Sequence, residues 1–154
     1  MNELDDVDRA ILRILQEDGR ISNAKLAERL SLSETPCWRR LKGLEAKGYI
    51  DGYQANLNRL KLGYGVLAFV QLSVSMHTDE ATARFERTIL ACPEVIAFHN
   101  ITGQADFLLQ VVAPDLDAYG LFIDQVLRKL PEIRVIQSSF SLREIKSTKC
   151  LPIS

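Results

Sequence analysis

The sequence predicts an α+β protein in two parts, a helical segment over residues 1–63 and a mixed strand-and-helix segment over residues 64–154. Three observations predict it. Apolar residues recur at helical spacing in the first part and shift to strand-like runs in the second. The second part repeats a β-α-β order twice. Basic charge is concentrated in one stretch of a chain whose net charge is −1.

Val7, Ile11, Ile14 and Leu15 form one stripe of a first helix, with Asp5 or Asp6 at its start and Gly19 at its end. A second helix runs from Ser22 or Asn23 to Leu30 and buries Leu26, Ala27 and Leu30. Ser31-Leu32-Ser33 is a tight connection. Ser33 can cap a third helix that tolerates Pro36 in its first turn and stops at Gly48. Two short helices joined by such a turn make a helix-turn-helix. Tyr49–Leu57, with β-formers around Gly52, is expected to be a small hairpin or wing, followed by a linker through Asn58–Gly63.

Val66–Ser75 is strand-like and Asp79–Cys92 helical, with Pro93 as terminator. Val95–Ile101 and Phe107–Ala113 are strands joined by Thr102-Gly103-Gln104-Ala105-Asp106. Leu116–Leu130 is helical, capped by Asp115 and stopped by Pro131, and Arg134–Ile145 is a last strand. This order, β-α-β-β-α-β, is the ferredoxin-like arrangement. Its helices cover one sheet face. Apolar residues such as Val70, Leu72, Leu109 and Val111 suggest that the other face needs a second layer, and another copy of the chain is the nearest supplier.

At 154 residues and 47% hydrophobic, the chain is an ordinary folded protein with no apolar run long enough for a membrane helix. Its acidic N-terminus is no secretory signal. Cys37, Cys92 and Cys150 are widely spaced and form no CxxC, so a reduced, cytoplasmic protein without a structural zinc is expected. From Arg20 to Lys47 there are seven basic residues (Arg20, Lys25, Arg29, Arg39, Arg40, Lys42, Lys47) against Glu28, Glu34 and Glu45, a local excess of +4. Local excess governs which face can meet phosphates.

Helical rotation puts Cys37, Leu41 and Leu44 on the packed side of the third helix, and Thr35, Arg39, Lys42 and Ala46 on the opposite side. A major groove accepts a helix with such a basic stripe, and Ser31, Ser33 and Thr35 near its N-terminus suit a phosphate. A solvated basic face is the plainer alternative. Trp38, on the flank, either contacts DNA or staples the helix to the wing. Arg40 serves a phosphate or a structural ion pair with the first helix. His77, His99 and the cysteines show no spacing for catalysis, and no acid pair, phosphate loop or nucleophile–base pair is visible.

Asp8-Arg9-Ala10-Ile11-Leu12, Asp18-Gly19-Arg20-Ile21-Ser22-Asn23 and Leu32–Leu41 closely resemble the Lrp/AsnC family, the feast/famine regulators. Thr102-Gly103-Gln104-Ala105-Asp106-Phe107 is similar to that family's G-x-x-D-[YF] loop, and Ser138-Ser139-Phe140 with Ile145–Thr148 and Leu151-Pro152 resembles one branch of it. The resemblance spans nearly the whole chain. It implies a winged helix-turn-helix followed by a ferredoxin-like effector and oligomerisation domain. It further implies a transcriptional regulator of amino-acid metabolism, whose homodimers assemble to tetramers or octamers on double-stranded DNA.

The resemblance also implies a small amino-acid effector bound between dimers and no other cofactor. The effector residues carried over are Asn100, Thr102, Gly103, Gln104, Asp106, Leu116, Ser139, Phe140 and Ser141. Asp106 would receive the ammonium group directly or order the loop around it, or simply cap its own turn. Asn100, Ser139 and Ser141 depart from the family's usual residues, which leaves leucine specificity open. The competing readings are an effector-independent architectural DNA organiser and, on the sheet half, an enzyme.

Overall fold

A computed structural model describes residues 4–75 and 78–154. The chain divides into two compact units, Met1–Asn56 with Lys146–Ser154, and Leu57–Ile145. The last nine residues, Lys146–Ser154, are therefore clustered with the helices.

The helical unit contains α1 (Asp6–Glu17), α2 (Asn23–Arg29) and α3 (Glu34–Ala46). Asp5 caps α1 by accepting the Asp8 N–H at 2.8 Å, and Ser22 caps α2 through the Lys25 N–H. The core is the expected set. Ile11 and Leu12 of α1, Leu26 and Ala27 of α2, and Cys37 and Leu44 of α3 are buried together, with Val7, Ile14, Leu15, Leu30 and Leu41 packed around them.

Both α2 and α3 end in the same way. After α3, Gly48 adopts φ +74°, its N–H bonds to Glu45 O, and the Tyr49 N–H reaches Leu44 O at 3.0 Å. After α2, Ser31 bonds to Glu28 O and Leu32 to Ala27 O at 2.9 Å. This double closure satisfies carbonyls that a helix end leaves bare. It requires a left-handed residue, and at α2 that residue is Ser31, at φ +54°.

The hairpin expected over Tyr49–Leu57 does not form, since no residue of that stretch pairs in a ladder. Gly52 is not among the positive-φ glycines, so the tight turn such a hairpin needs is absent. Instead Ile50 packs on the helical core and Tyr53 donates its hydroxyl to Glu45 at 3.0 Å.

The second unit is a four-stranded antiparallel sheet of β1 (Val66–Val74), β2 (Val95–Asn100), β3 (Phe107–Ala113) and β4 (Ile133–Phe140), in the order β2-β3-β1-β4. Helices α4 (Asp79–Leu90) and α5 (Leu116–Gln125) are capped by Thr78 and Asp115. A 3₁₀ turn, Leu127–Lys129, replaces the expected last turn of α5. Strand β4 ends at Phe140 rather than Ile145: Phe140 pairs with Ala68, Ser141 N–H takes Leu67 O, and β1 reaches no further than Val66.

Ala68, Val70 and Leu72 alternate with β3 residues Phe107, Leu109 and Val111 on the helix-covered face, all buried with Phe85 and Ile89 of α4. The rings of Phe85, Phe98 and Phe107 meet at 5.1–6.0 Å. Val70, Leu72, Leu109 and Val111 thus face the helices, and they are not evidence for an uncovered apolar face. By the same register the other face carries Phe69, Gln71, Leu108, Gln110, Gln137 and Ser139, a more polar mixture.

Among the described residues, one charge lies in this unit's interior. Glu132 is 4% exposed and accepts from Arg84 on α4. The Arg84 guanidinium holds its carboxyl below the usual range. A depressed carboxyl contributes stability above its ordinary pKa and loses it as pH falls through the folded value. Arg84→Ala is expected to cost roughly 1–3 kcal/mol near neutral pH by leaving Glu132 unpaired. Urea titrations should show that difference shrinking as pH falls through the acid range and vanishing once the carboxyl is protonated in both folded proteins.

Candidate nucleic-acid face and ligand loop

Burial of Cys37 and Leu44 turns the opposite side of α3 to solvent. Thr35, Trp38, Arg39 and Lys42 are all exposed. Trp38 is 52% exposed, so it is no buried staple. The three cations differ in their engagement. Arg40 reaches back to α1, with Nη1 2.5 Å from Asp5 Oδ2 and 2.9 Å from Asp8 Oδ1. The structural ion pair is therefore the state in which Arg40 is found, and it ties α3 to the capped end of α1. Lys42 is 2.6 Å from Glu45, a solvent-exposed pair three residues apart that is cheaply exchanged. Arg39 has no ion-pair partner among the described residues.

Glu45 accepts from both Lys42 and Tyr53, which hold its carboxyl below the usual range. Asp5 is lowered first by the Asp8 N–H and then by Arg40. At the start of α3, Ser33 makes no side-chain cap bond, so its hydroxyl is not spent on its own helix. Asn23 Nδ2 donates to Glu34 O at 3.0 Å and pins the start of α2 to the start of α3. Sequence reading did not single out Asn23.

In the sheet unit, Gly103 sits at φ +124° and lets the β2–β3 connection turn. Thr102, Gly103 and Gln104 are exposed. Asp106 spends its carboxylate on the backbone. Its Oδ2 accepts the Val74 N–H at 2.8 Å, where the β1–β4 register slips, while its own N–H bonds to Leu72 O and its carbonyl to Ile101 N–H. Asp106 thus ties the end of the loop to β1. Asn100 closes β2 opposite Phe107, at the same end of the sheet.

The other expected ligand residues lie elsewhere. Ser139 pairs with Phe69, Phe140 with Ala68, and Ser141 bonds to Leu67. Leu116 opens α5 just after β3. Leu67 and Leu72 are five residues apart on β1, so roughly 17 Å of strand separates the two groups. A single chain does not bring them together. Phe140 is also packed edge-on to Tyr119 at 5.1 Å, and Tyr119 hydrogen-bonds Ser138, a pair the sequence did not signal.

The alternative chemical groups do not converge. His99 lies on the uncovered face by its pairing with Leu108, Cys37 is buried, and Cys92 donates to Thr88 O. Burial pushes both thiols up. His77 lies outside the described residues. Among the described residues no cluster of metal-binding side chains occurs, and no helix is long and apolar enough to cross a membrane.

Ser31 occupies a left-handed conformation that costs an L-residue roughly 1–2 kcal/mol. Ser31→Gly is expected to raise stability by about 1 kcal/mol in thermal unfolding. Asp106→Ala is expected to lower it by about 1 kcal/mol, because the Val74 N–H loses a charged acceptor.

Residues 67–151 match the family model of the Lrp/AsnC ligand binding domain, and residues 4–51 match that of a winged helix-turn-helix DNA-binding domain. The chain is 38% identical over 150 residues to the DNA-binding transcriptional activator DecR of Escherichia coli, covering 97% of this chain and 99% of the relative. It is 39% identical over 153 residues to the Bkd operon transcriptional regulator of Pseudomonas aeruginosa, covering 99% and 100%. A crystal structure of a Neisseria meningitidis transcriptional regulator in complex with L-methionine superposes with a TM-score of 0.94 at 39% identity, covering 97% of each chain. With both domains matched in order and the fold shared along the whole length, the chain belongs to the Lrp/AsnC family of DNA-binding transcriptional regulators.

Proposed function

We propose that α3 binds the major groove of double-stranded DNA and that a small amino acid controls this binding from a site shared between copies of the chain. Arg39, exposed and unpaired, supplies the leading base or phosphate contact. Lys42 exchanges Glu45 for a phosphate. Ser31, Ser33 and Thr35 take phosphate oxygens at the start of the helix, and Trp38 packs beside the backbone. Arg40 acts mainly as scaffold.

The observation that carries the effector reading is the separation of its residues. Asn100, Thr102, Gly103, Gln104 and Asp106 lie at one end of the sheet, and Leu116, Ser139, Phe140 and Ser141 at the other. Both groups meet one ligand only where two copies adjoin, so ligand and assembly are thermodynamically linked. Dimers then build tetramers or octamers and bring several recognition helices to one stretch of DNA. The methionine complex of the neisserial relative makes a small amino acid the first class to test. In this reading the chain works in the cytoplasm, needs no other cofactor and catalyses no reaction.

The experiment is a thermal-shift screen against the twenty amino acids. A ligand at about 100 times its dissociation constant adds roughly 2.7 kcal/mol to the folded state. A shift for none of them would remove the amino-acid reading. Asp106→Asn, which keeps an acceptor for Val74, should retain the shift, and Asp106→Ala should lose it. If Asp106 instead met the ammonium group, Asn would fail as well.

In gel-shift titrations, Arg39→Ala should weaken binding by roughly 1–3 kcal/mol. It should also reduce the slope of log affinity against log salt by about 1. Arg40→Ala should leave that slope unchanged.

A further inference from the structure

The tail Lys146–Ser154 continues from the sheet's last strand, yet it is part of the helical unit. It lies along α1 and is held mainly by its backbone. Arg9, Arg13 and Gln16 recur along one stripe of α1. Gln16 Nε2 donates to Leu151 O at 3.1 Å, Arg13 Nη1 to Ile153 O at 3.4 Å and Arg9 Nη1 to Ser154 O at 3.3 Å. Gln16 Oε1 also accepts the Leu151 N–H at 2.5 Å. One glutamine side chain thereby satisfies both backbone groups of Leu151, as a neighbouring strand would. Ile153 supplies a side-chain anchor and packs on the helical core, in the cluster that includes Leu4 and Val7.

We infer that this stripe of α1 is a docking surface for an extended peptide, and that its partner is the chain's own tail. Two observations carry the choice of partner. The tail is seated there, and the fit combines backbone recognition with an apolar anchor that enlarges a small core. A helical unit of this size has little buried area to spare, so one further aliphatic side chain counts. Residues 142–145, between β4 and the tail, are exposed, with Leu142 fully so and Ile145 at 84%. The tail is thus a strap that gives the DNA-binding unit a second covalent tie, beside the linker after Asn56, to the strand bearing Ser139–Ser141. Its regulatory meaning rests on the effector reading above, but the docking does not.

Amide hydrogen exchange on the full-length chain tests the docking without any ligand. The Leu151 N–H lies outside helix and strand, so an undocked tail would exchange at the free-peptide rate. Docking predicts at least a tenfold slower exchange, returning toward the free rate in Gln16→Ala. Exchange at the free rate in the unaltered protein would overturn the inference. A chain lacking residues 147–154 should melt at a lower temperature, and a synthetic peptide of Lys146–Ser154 at millimolar concentration should restore part of the loss. If the shortened chain does not fold, Ile153→Ala takes its place, with a lower melting temperature expected. An unchanged melting temperature in the tested variant, or no recovery with the peptide, would equally overturn it.

Discussion

Everything this protein can present to DNA depends on one seam, where Cys37 and Leu44 of α3 are buried against Ile11 and Leu26. A helix with one stripe in the core has no freedom to choose its outer face. Residues two and five positions from Cys37, Arg39 and Lys42, are turned to solvent as a consequence. The Arg40 bridge to Asp5 and Asp8 then sets the helix against the capped start of α1, and Asn23 ties its first turn to α2. The seam is apolar and the ties at its margins are polar. The first drives association of the helices, and the second select their angle.

The sheet unit is organised around a different constraint. A buried helix-facing side, with Phe85 and Ile89 pressed on Val70, Leu72 and Leu109, leaves the strand ends to carry function. At one end, Asp106 accepts the Val74 N–H where the ladder slips, and in doing so fixes the Gly103 turn. At the other, Tyr119 links α5 to Ser138 and Phe140. These two ends cannot meet within a chain. In the proposed reading, a ligand that needs both would report on assembly without any moving part inside the fold.

Legibility from residues followed locality. The stripes of α1, α2 and α3 were readable because their period is set by helix geometry. The caps at Asp5 and Asp115 were readable because a cap bonds only two or three residues away. The paired hairpin expected over Tyr49–Leu57 does not form, because β-formers around Gly52 make a hairpin only if the turn and its ladder close, and here Tyr53 goes to Glu45 instead. Strand β4 is shorter than expected because its antiparallel partner β1 begins at Val66 and offers nothing to pair beyond it. Val70 and Leu109 looked like a second apolar face because alternation does not say which side the helices take.

Residue order alone set the element types, the apolar stripes, the basic side of α3 and the glycine turn before Asp106, all of which depend on neighbours within a few positions. Tertiary structure decided the rest. It paired Arg40 with α1, gave the Asp106 carboxylate to Val74, parted the residues expected to meet a ligand to opposite ends of a sheet and laid the tail along Arg9, Arg13 and Gln16. Each of these joins residues far apart in the chain, from 32 positions for Asp106 and Val74 to 145 for Arg9 and Ser154. Only the packing of whole elements sets such distances, and no local periodicity encodes them.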